Sequence, residues 1–235
     1  MQAMMEKRAI ELLENGTVDR VIGWSAGEFP YDMTPAVFHS VEELKNGFGE
    51  VFSTDRPVHM EIGCGKGNFA CGMAEKYPDV NFVAVEKVAD VCCVALEKAK
   101  ARSEERPDDN LRFIIGDAKN LAENVKPHSL DCIYLNFSDP WPKAGHAKRR
   151  LTYRSFLEIY KNLLKEDGIL KLKTDNVGLF DFSLEEFKAF GMKIIWQTRD
   201  LHSEPQNADN VMTEYEKNFS DKGQPICSAW VKFKA

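Results

Sequence analysis

From Pro57 onward the chain alternates short apolar runs with longer segments of helical period, and that alternation restricts it to a small set of folds. The runs near 58–62, 81–85, 111–115, 131–136 and 168–173 read as strands. The segments near 67–77, 88–103, 119–124, 152–165 and 178–190 read as helices. A strand that returns to its sheet through a helix must lie parallel to its predecessor, and the helices then cover both sheet faces. Two late strands, near 193–199 and 226–233, are separated by a long polar connection. The fold class predicted is α/β: a Rossmann-like, mostly parallel seven-stranded sheet with helices on both faces.

Ahead of this pattern, Met4–Glu14 has the spacing of a short amphipathic helix stopped by Gly16. Residues 17–50 show no sustained period, although Glu42–Leu44 reads as the opening of another short helix. The division expected is an N-terminal extension over 1–54 and one catalytic domain over 55–235. A chain of 235 residues with 43% hydrophobic content supports one sizeable core. Apolar runs such as 81–85 and 132–135 fall far short of the roughly 20 residues of a membrane span. The protein is therefore expected to be cytoplasmic, with no membrane partner. Its six cysteines include no CxxC pair, so they are read as reduced thiols and no metal site is expected.

The first chemistry-bearing segment is His59-Met-Glu-Ile-Gly-Cys-Gly-Lys-Gly-Asn-Phe, a glycine-rich turn between a strand and a helix. Backbone can approach a ligand closely there. Gly63, Gly65 and Gly67 give GxGxG, but position 68, where a dinucleotide fingerprint places its third glycine, holds Asn68. Nineteen residues after Gly67, Glu86 closes the next strand, where an acid can accept hydrogen bonds from ribose hydroxyls. Asp117 closes the third strand, with Ala118 beside it. Glu61, Glu86 and Asp117 thus form an acidic rim along the strand ends. It suits a cofactor with a cationic sulfonium and ammonium and repels a pyrophosphate. That points to S-adenosylmethionine, with Glu61 at the methionine end, Glu86 at the ribose, and Asp117 with Ala118 at the adenine. A nucleotide-dependent oxidoreductase and a non-catalytic RNA-binding module are the alternatives.

After the fourth strand the chain reads Asn136-Phe-Ser-Asp-Pro-Trp-Pro-Lys, a loop stiffened by two prolines and carrying Asp139 at the cofactor end of the sheet. Between Lys143 and Arg154 stand five basic residues (Lys143, Lys148, Arg149, Arg150, Arg154) and no acidic one, in a chain of net charge −6. The basic cluster Lys148-Arg149-Arg150 is read as leading a helix, where cations oppose the helix dipole, so phosphate binding explains it better than structure does.

GCGKG after Glu61, NFSDPWPK, HAKRRLT and the late TEYEK together resemble the bacterial tRNA (guanine-N7)-methyltransferase family of the class I methyltransferase superfamily. The resemblance covers roughly residues 55–233 and implies methylation of guanine 46 in the tRNA variable loop. It implies that Glu61, Glu86, Asp117 and Asp139 line the cofactor site and that Asp139 is the catalytic residue. Substrate contacts would fall on Lys143, Asp175, Thr213, Glu214, Tyr215 and Glu216, with Gly145, His146, Lys148, Arg149 and Arg150 facing RNA. Tyr215, flanked by polar residues, is the favoured stacking partner for an unstacked base. The partner expected is tRNA, not DNA, and the protein is a monomer or homodimer.

The chain departs from the family at its start. Members commonly open on an arginine-rich, tryptophan-containing lead-in, whereas residues 1–50 here hold nine acids against four bases. Residues 18–38 resemble the opening of some iron–sulfur oxidoreductases, but the first cysteine is Cys64, so that segment has no thiolate to hold a cluster.

Overall fold

The computed structural model describes residues 44–49, 51–103 and 110–234, and the backbone of a short antiparallel pair, Arg20–Val21 with Tyr31–Asp32. The helix expected over Met4–Glu14 lies outside the described residues. Seven strands form one sheet: β1 (Val58–Ile62), β2 (Asn81–Glu86), β3 (Leu111–Ile115), β4 (Leu130–Asn136), β5 (Leu164–Thr174), β6 (Lys193–Thr198) and β7 (Cys227–Lys232). Their spatial order is β3-β2-β1-β4-β5-β7-β6. The first five run parallel, and β7 is antiparallel to both β5 and β6. The order reverses between β1 and β4, so a crevice opens beyond their carboxyl ends.

The helices are α1 (Asn68–Lys76), α2 (Ala89–Ser103), α3 (Leu121–Asn124), α4 (Arg154–Leu163), α5 (Val177–Ala189) and α6 (Glu214–Ser220). Strand alternation sorts the sheet into two faces. Val58, Met60, Ile62, Val83, Val85, Ile133, Leu135, Leu170, Leu172, Ala229 and Val231 point into one core, closed by Leu121 of α3, Phe156 and Tyr160 of α4, and Phe180 and Phe187 of α5. On the other face, α1 and α2 bury Phe69, Met73, Cys92 and Leu96 against Phe82, Ala84, Phe113 and Tyr134. That second face also carries Glu61, Asn136 and Lys173, all buried near the carboxyl ends of adjacent strands.

Leu44, Phe48, Val51 and Phe52 belong to the first core as well. Packing therefore joins these four residues to the body. The helix expected to end at 165 stops at Leu163, because β5 begins at Leu164 and bulges: Leu130 pairs with Leu164 while Cys132 pairs with Ile169. The extra residues, Lys165 to Gly168, are accommodated as a local irregularity in the ladder.

The polar connection between β6 and β7 folds back over α1. Lys76 Nζ donates to the Ala208 carbonyl at 2.8 Å, and the Tyr77 hydroxyl reaches the Asp209 carbonyl at 3.4 Å. This return carries the TEYE segment, 146 residues away in sequence, to the first residue of α1, where Asn68 Nδ2 donates to Glu214 Oε2 at 3.4 Å.

Gly67 enters α1 with φ +72, and a Cβ there would lie 2.7 Å from the Ala95 Cβ and 3.1 Å from the Phe113 ring. Gly67→Ala combines a left-handed backbone with a steric clash, so it should destabilise the protein by about 1–3 kcal/mol. Thermal unfolding followed by circular dichroism checks this; an unchanged melting temperature would contradict it.

Candidate active site

Two adjoining cavities open beyond the carboxyl ends of β1, β2, β3 and β4, sharing Gly63 and Phe137. The larger, with about 1370 Å³ of free space, is lined by Glu86, Asp117, Ala118 and Lys119 on one side and by Ser138, Asp139, Trp141 and Arg149 on the other. The smaller, about 600 Å³, is lined by Glu61, Gly65, Asn68 and Asn136, and on the far side by Thr213, Glu214 and Tyr215. The predicted glycine turn, acidic rim, DPWP loop and TEYE segment therefore meet in one continuous crevice.

Glu61 is 4% exposed. One carboxylate oxygen accepts from Asn136 Nδ2 at 2.8 Å, while the other is buried without a hydrogen-bond partner. Burial is the main cause that pushes this carboxyl up to about 7, against the opposing effects of Asn136 and Lys173. A cationic group beside Glu61 would satisfy the bare oxygen and stabilise its charge. Gly63 and Gly65 adjoin it with φ +80 and +55, and a Cβ at either would meet nothing within 4 Å. Bare backbone thus faces open space beside an unsatisfied acid, which fits the amino-acid end of S-adenosylmethionine.

Glu86 is tied to the turn itself: its two oxygens accept from the amides of Gly65 and Val88, each at 2.9 Å. Each oxygen keeps a further lone pair for a ribose hydroxyl. Asp117 caps the 3₁₀ turn Ala118–Asn120, accepting from the Lys119 amide at 3.0 Å and from Lys87 Nζ at 2.7 Å. Burial would raise its carboxyl, but the bonds from Lys87 and Lys119 hold it below the ordinary value.

Asp139 is exposed in a loop with two strained residues, Phe137 at φ +51 and Trp141 at φ +41. Non-glycine residues rarely adopt this conformation, and surrounding contacts must hold it. The Phe137 amide donates to the Lys173 carbonyl at 2.8 Å. Arg150 holds the other end, donating through Nε to the Pro140 carbonyl at 2.9 Å and through a terminal nitrogen to the Trp141 carbonyl at 3.0 Å. Its guanidinium also lies 4.2 Å from the Phe182 ring centroid.

Arg150, expected to face RNA, thus spends two of its donors on the backbone of the Asp139 loop. The helix-dipole argument also fails, because Lys148 and Arg149 end a 3₁₀ helix over Ala144–Arg149 and α4 starts only at Arg154. Arg154 in turn pairs with Glu186 at 2.9 Å. Lys143, Lys148 and Arg149 are exposed, with exposed Gly145 and half-buried His146 between them. Arg149 stacks on Trp141, its guanidinium 4.8 Å from the ring centroid. Lys143 lies outside the lining of the crevice.

Glu216 is corrected more strongly. It is fully buried, and its oxygens accept from Lys173 Nζ at 2.7 Å and Asn210 Nδ2 at 2.7 Å, with His202 Nε2 at 2.9 Å. Thr213 and Glu216 form a reciprocal capping box on α6. T-x-x-E is the sequence signature of that motif, so TEYE carries a capping signal as well as residues that face the crevice. Glu214 and Tyr215 do face the crevice. Tyr215 is 45% exposed, packs 5.2 Å from Phe137 and 4.4 Å from Phe219, and has Asp175 as a neighbour. Asn136 and Lys173, which support Glu61 and Glu216, were not singled out from sequence. Their signal was polar residues alternating with core leucines in strands otherwise buried on both faces.

None of the six cysteines forms a disulfide, and all are buried. Among the described residues no helix is long and apolar enough to cross a membrane, and no cluster of His, Cys, Asp and Glu could hold a metal ion.

A sheet of this order, with a glycine turn after β1 and acids closing β1, β2 and β3, defines a class I S-adenosylmethionine-dependent methyltransferase. Solved structures agree on the fold: the 16S rRNA methyltransferase KamB covers 92% of this chain and 99% of its own at a TM-score of 0.60 and 14% identity, and an antibiotic-related methyltransferase gives the same TM-score at 16% identity, covering 86% and 98%. A family model described as "Putative methyltransferase" matches residues 55–229. The tRNA (guanine-N(7)-)-methyltransferase of Brevibacillus brevis is 50% identical over 77% of this chain and 83% of its own, and that of Mesoplasma florum is 47% identical over 81% and 88%. The chain belongs to the tRNA (guanine-N7)-methyltransferase family. Membership in a family of enzymes sets aside the oxidoreductase and non-catalytic readings.

The raised Glu61 carboxyl gives a pH test. Between about 4.5 and 7 the folded protein holds a proton that the unfolded chain has released, so this group's contribution to stability falls as pH rises across that window. Glu61→Gln should therefore melt higher than the wild type at pH 8, yet bind S-adenosylhomocysteine more weakly. Wild-type affinity should rise with pH through about 7, as the carboxylate forms. Calorimetry across pH would contradict this reading if affinity were flat.

Proposed function

We propose that the protein methylates N7 of guanine 46 in the variable loop of tRNA, with Asp139 contacting the reacting base. The observation that carries this reading is the shared cleft: Asp139, Trp141 and Arg149 face Gly63, Glu86 and Asp117 across it. The acidic cofactor side and the basic RNA side thus meet where the methyl group has to pass.

S-adenosylmethionine, when bound, supplies a methyl group on a cationic sulfur. Glu61, Gly63, Gly65, Glu86, Asp117 and Ala118 hold and orient it, while Gly67, expected among them, lines neither cavity and packs against Ala95, where it shapes the turn. Guanine N7 carries a free lone pair, so no side chain has to remove a proton before attack. Alignment is then the main source of rate, and holding reactants in near-attack geometry is worth on the order of 7 to 11 kcal/mol. The purine gains positive charge as the bond to carbon forms. Asp139 stabilises that charge and accepts from the N1 and N2 protons, assisted by Asp175 and Glu214. Tyr215 and Phe137 form an aromatic wall against which an unstacked base can lie. Lys143, Lys148 and Arg149 take phosphates, with Gly145 and His146 in the RNA-facing surface between them.

Asp139→Ala should lower kcat by at least about 100-fold with S-adenosylhomocysteine still bound, read by methyl transfer from labelled donor to tRNA and N7-specific cleavage. Turnover at the wild-type rate would remove Asp139 from the chemistry. Three phosphate contacts predict a slope of log affinity against log salt of about −2 to −2.7. Arg149→Ala should flatten that slope by about 0.7 to 0.9, whereas Arg150→Ala should lower kcat and leave the slope unchanged. A flatter slope in Arg150→Ala would restore it as a phosphate contact.

A further inference from the structure

Lys173 is buried at the carboxyl end of β5, and the reaction as described gives it no role. Its ammonium donates to Glu216 Oε2 at 2.7 Å, to Asn210 Oδ1 at 2.8 Å and to the Val211 carbonyl at 3.1 Å. Those three acceptors belong to the segment that carries Glu214 and Tyr215 into the crevice. Its backbone carbonyl meanwhile accepts from Phe137, the strained first residue of the Asp139 loop. The same ammonium lies 4.9 Å from the Phe69 ring centroid and 5.9 Å from that of Phe137. Across β4 it stands level with Asn136, which holds Glu61.

Resting on the methyltransferase reading above, we propose that Lys173 is a positioning residue for methyl transfer: it fixes the Phe137–Tyr215 wall of the guanine site relative to Glu61 and the Asp139 loop. A buried ammonium is a costly way to hold a fold together, since an apolar replacement of a buried ion pair is often neutral or stabilising. What it supplies is direction. Three charge-assisted or polar bonds in one geometry hold residues 210–216 more sharply than apolar packing does. Apart from Lys173, the 210–216 segment meets the body through Val211, packed on Gly72 and the Phe69 and Met73 side chains, through Tyr215 against Phe137, and through long or exposed polar contacts such as Asn68 with Glu214 at 3.4 Å and Lys98 with Glu214 at 3.8 Å, none of which fixes direction as the Lys173 bonds do. Lys173 touches neither the cofactor groove near Glu86 nor the exposed basic residues, so its effect should fall on the chemical step.

The double variant Lys173→Met with Glu216→Gln tests this. The amide of residue 216 still donates to Thr213 Oγ1, the glutamine carbonyl oxygen can accept from Asn210 and His202 at the cost of the long 3.4 Å return bond from the Thr213 amide, and removing both charges leaves no unpaired ion in the core. The fully assembled reaction, with tRNA and labelled methyl donor, should show kcat lowered about 100-fold. S-adenosylhomocysteine affinity, measured well above the range in which Glu61 titrates so that its carboxylate is formed with or without the Lys173 charge, and the KM for tRNA should stay within about threefold of wild type, less than a tenfold step in affinity. A kcat within about threefold of wild type would overturn the proposal, as would parallel loss of cofactor binding. Should the double variant fail to fold, Glu216→Gln alone decides: amide exchange should speed up over 210–220 and spare the sheet, with kcat reduced. Unchanged exchange and kcat would overturn the proposal. A wild-type protein that does not methylate tRNA guanine would instead refute the functional reading.

Discussion

The parallel run of β1 to β5 brings five carboxyl-terminal strand ends to one edge of the sheet, and the side chains of the crevice are held from that edge. Glu61 and Glu86 are the penultimate and last residues of their strands, Asp117 follows β3 by two residues, and the Asp139 loop leaves β4 directly. Because side chains alternate along each strand, Glu61, Asn136 and Lys173 emerge on one face of three adjacent strands. A helix on that face would have to bury them. Instead, the crevice and the returning 201–216 segment receive them.

This arrangement concentrates unfavourable terms where they serve function. Glu61 keeps an unpartnered buried oxygen and a carboxyl shifted upward by burial. Phe137 and Trp141 hold left-handed backbone on either side of Asp139. Each is destabilising in isolation, and each is held by a specific neighbour: Asn136 for Glu61, the Lys173 carbonyl for Phe137, Arg150 for Trp141. A cationic ligand would relieve the first of these, which couples cofactor binding to a more relaxed protein. Strain of this kind persists only where the surrounding structure over-determines it.

Arginines 149 and 150 show how adjacent residues of one chemistry divide their tasks. Arg149 lies exposed against the Trp141 ring, and Arg150 reaches under the same residue to its carbonyl. The ring that Arg149 covers and the backbone that Arg150 holds thus belong to one tryptophan.

The strands, the helices, the glycine turn and the acids closing the strands were legible from local sequence because burial on a sheet has period two and helices have their own period and caps. Seven strands appeared near their expected positions, and Gly63, Gly65, Glu61, Glu86 and Asp117 lie together in one crevice. The basic stretch was legible as charge but not as geometry: Arg150 bonds to carbonyls nine and ten residues earlier and Arg154 to Glu186, 32 residues later. Glu216 was misread because its identity as a capping residue depends on where α6 begins, and its buried partner Lys173 lies 43 residues earlier. The amino-acid sequence by itself determined the fold class, the glycines and acids at the strand ends, and the family. Only the tertiary structure decided which charges are taken up by protein and which stay exposed, because that depends on partners brought together by folding and on the water each group loses there.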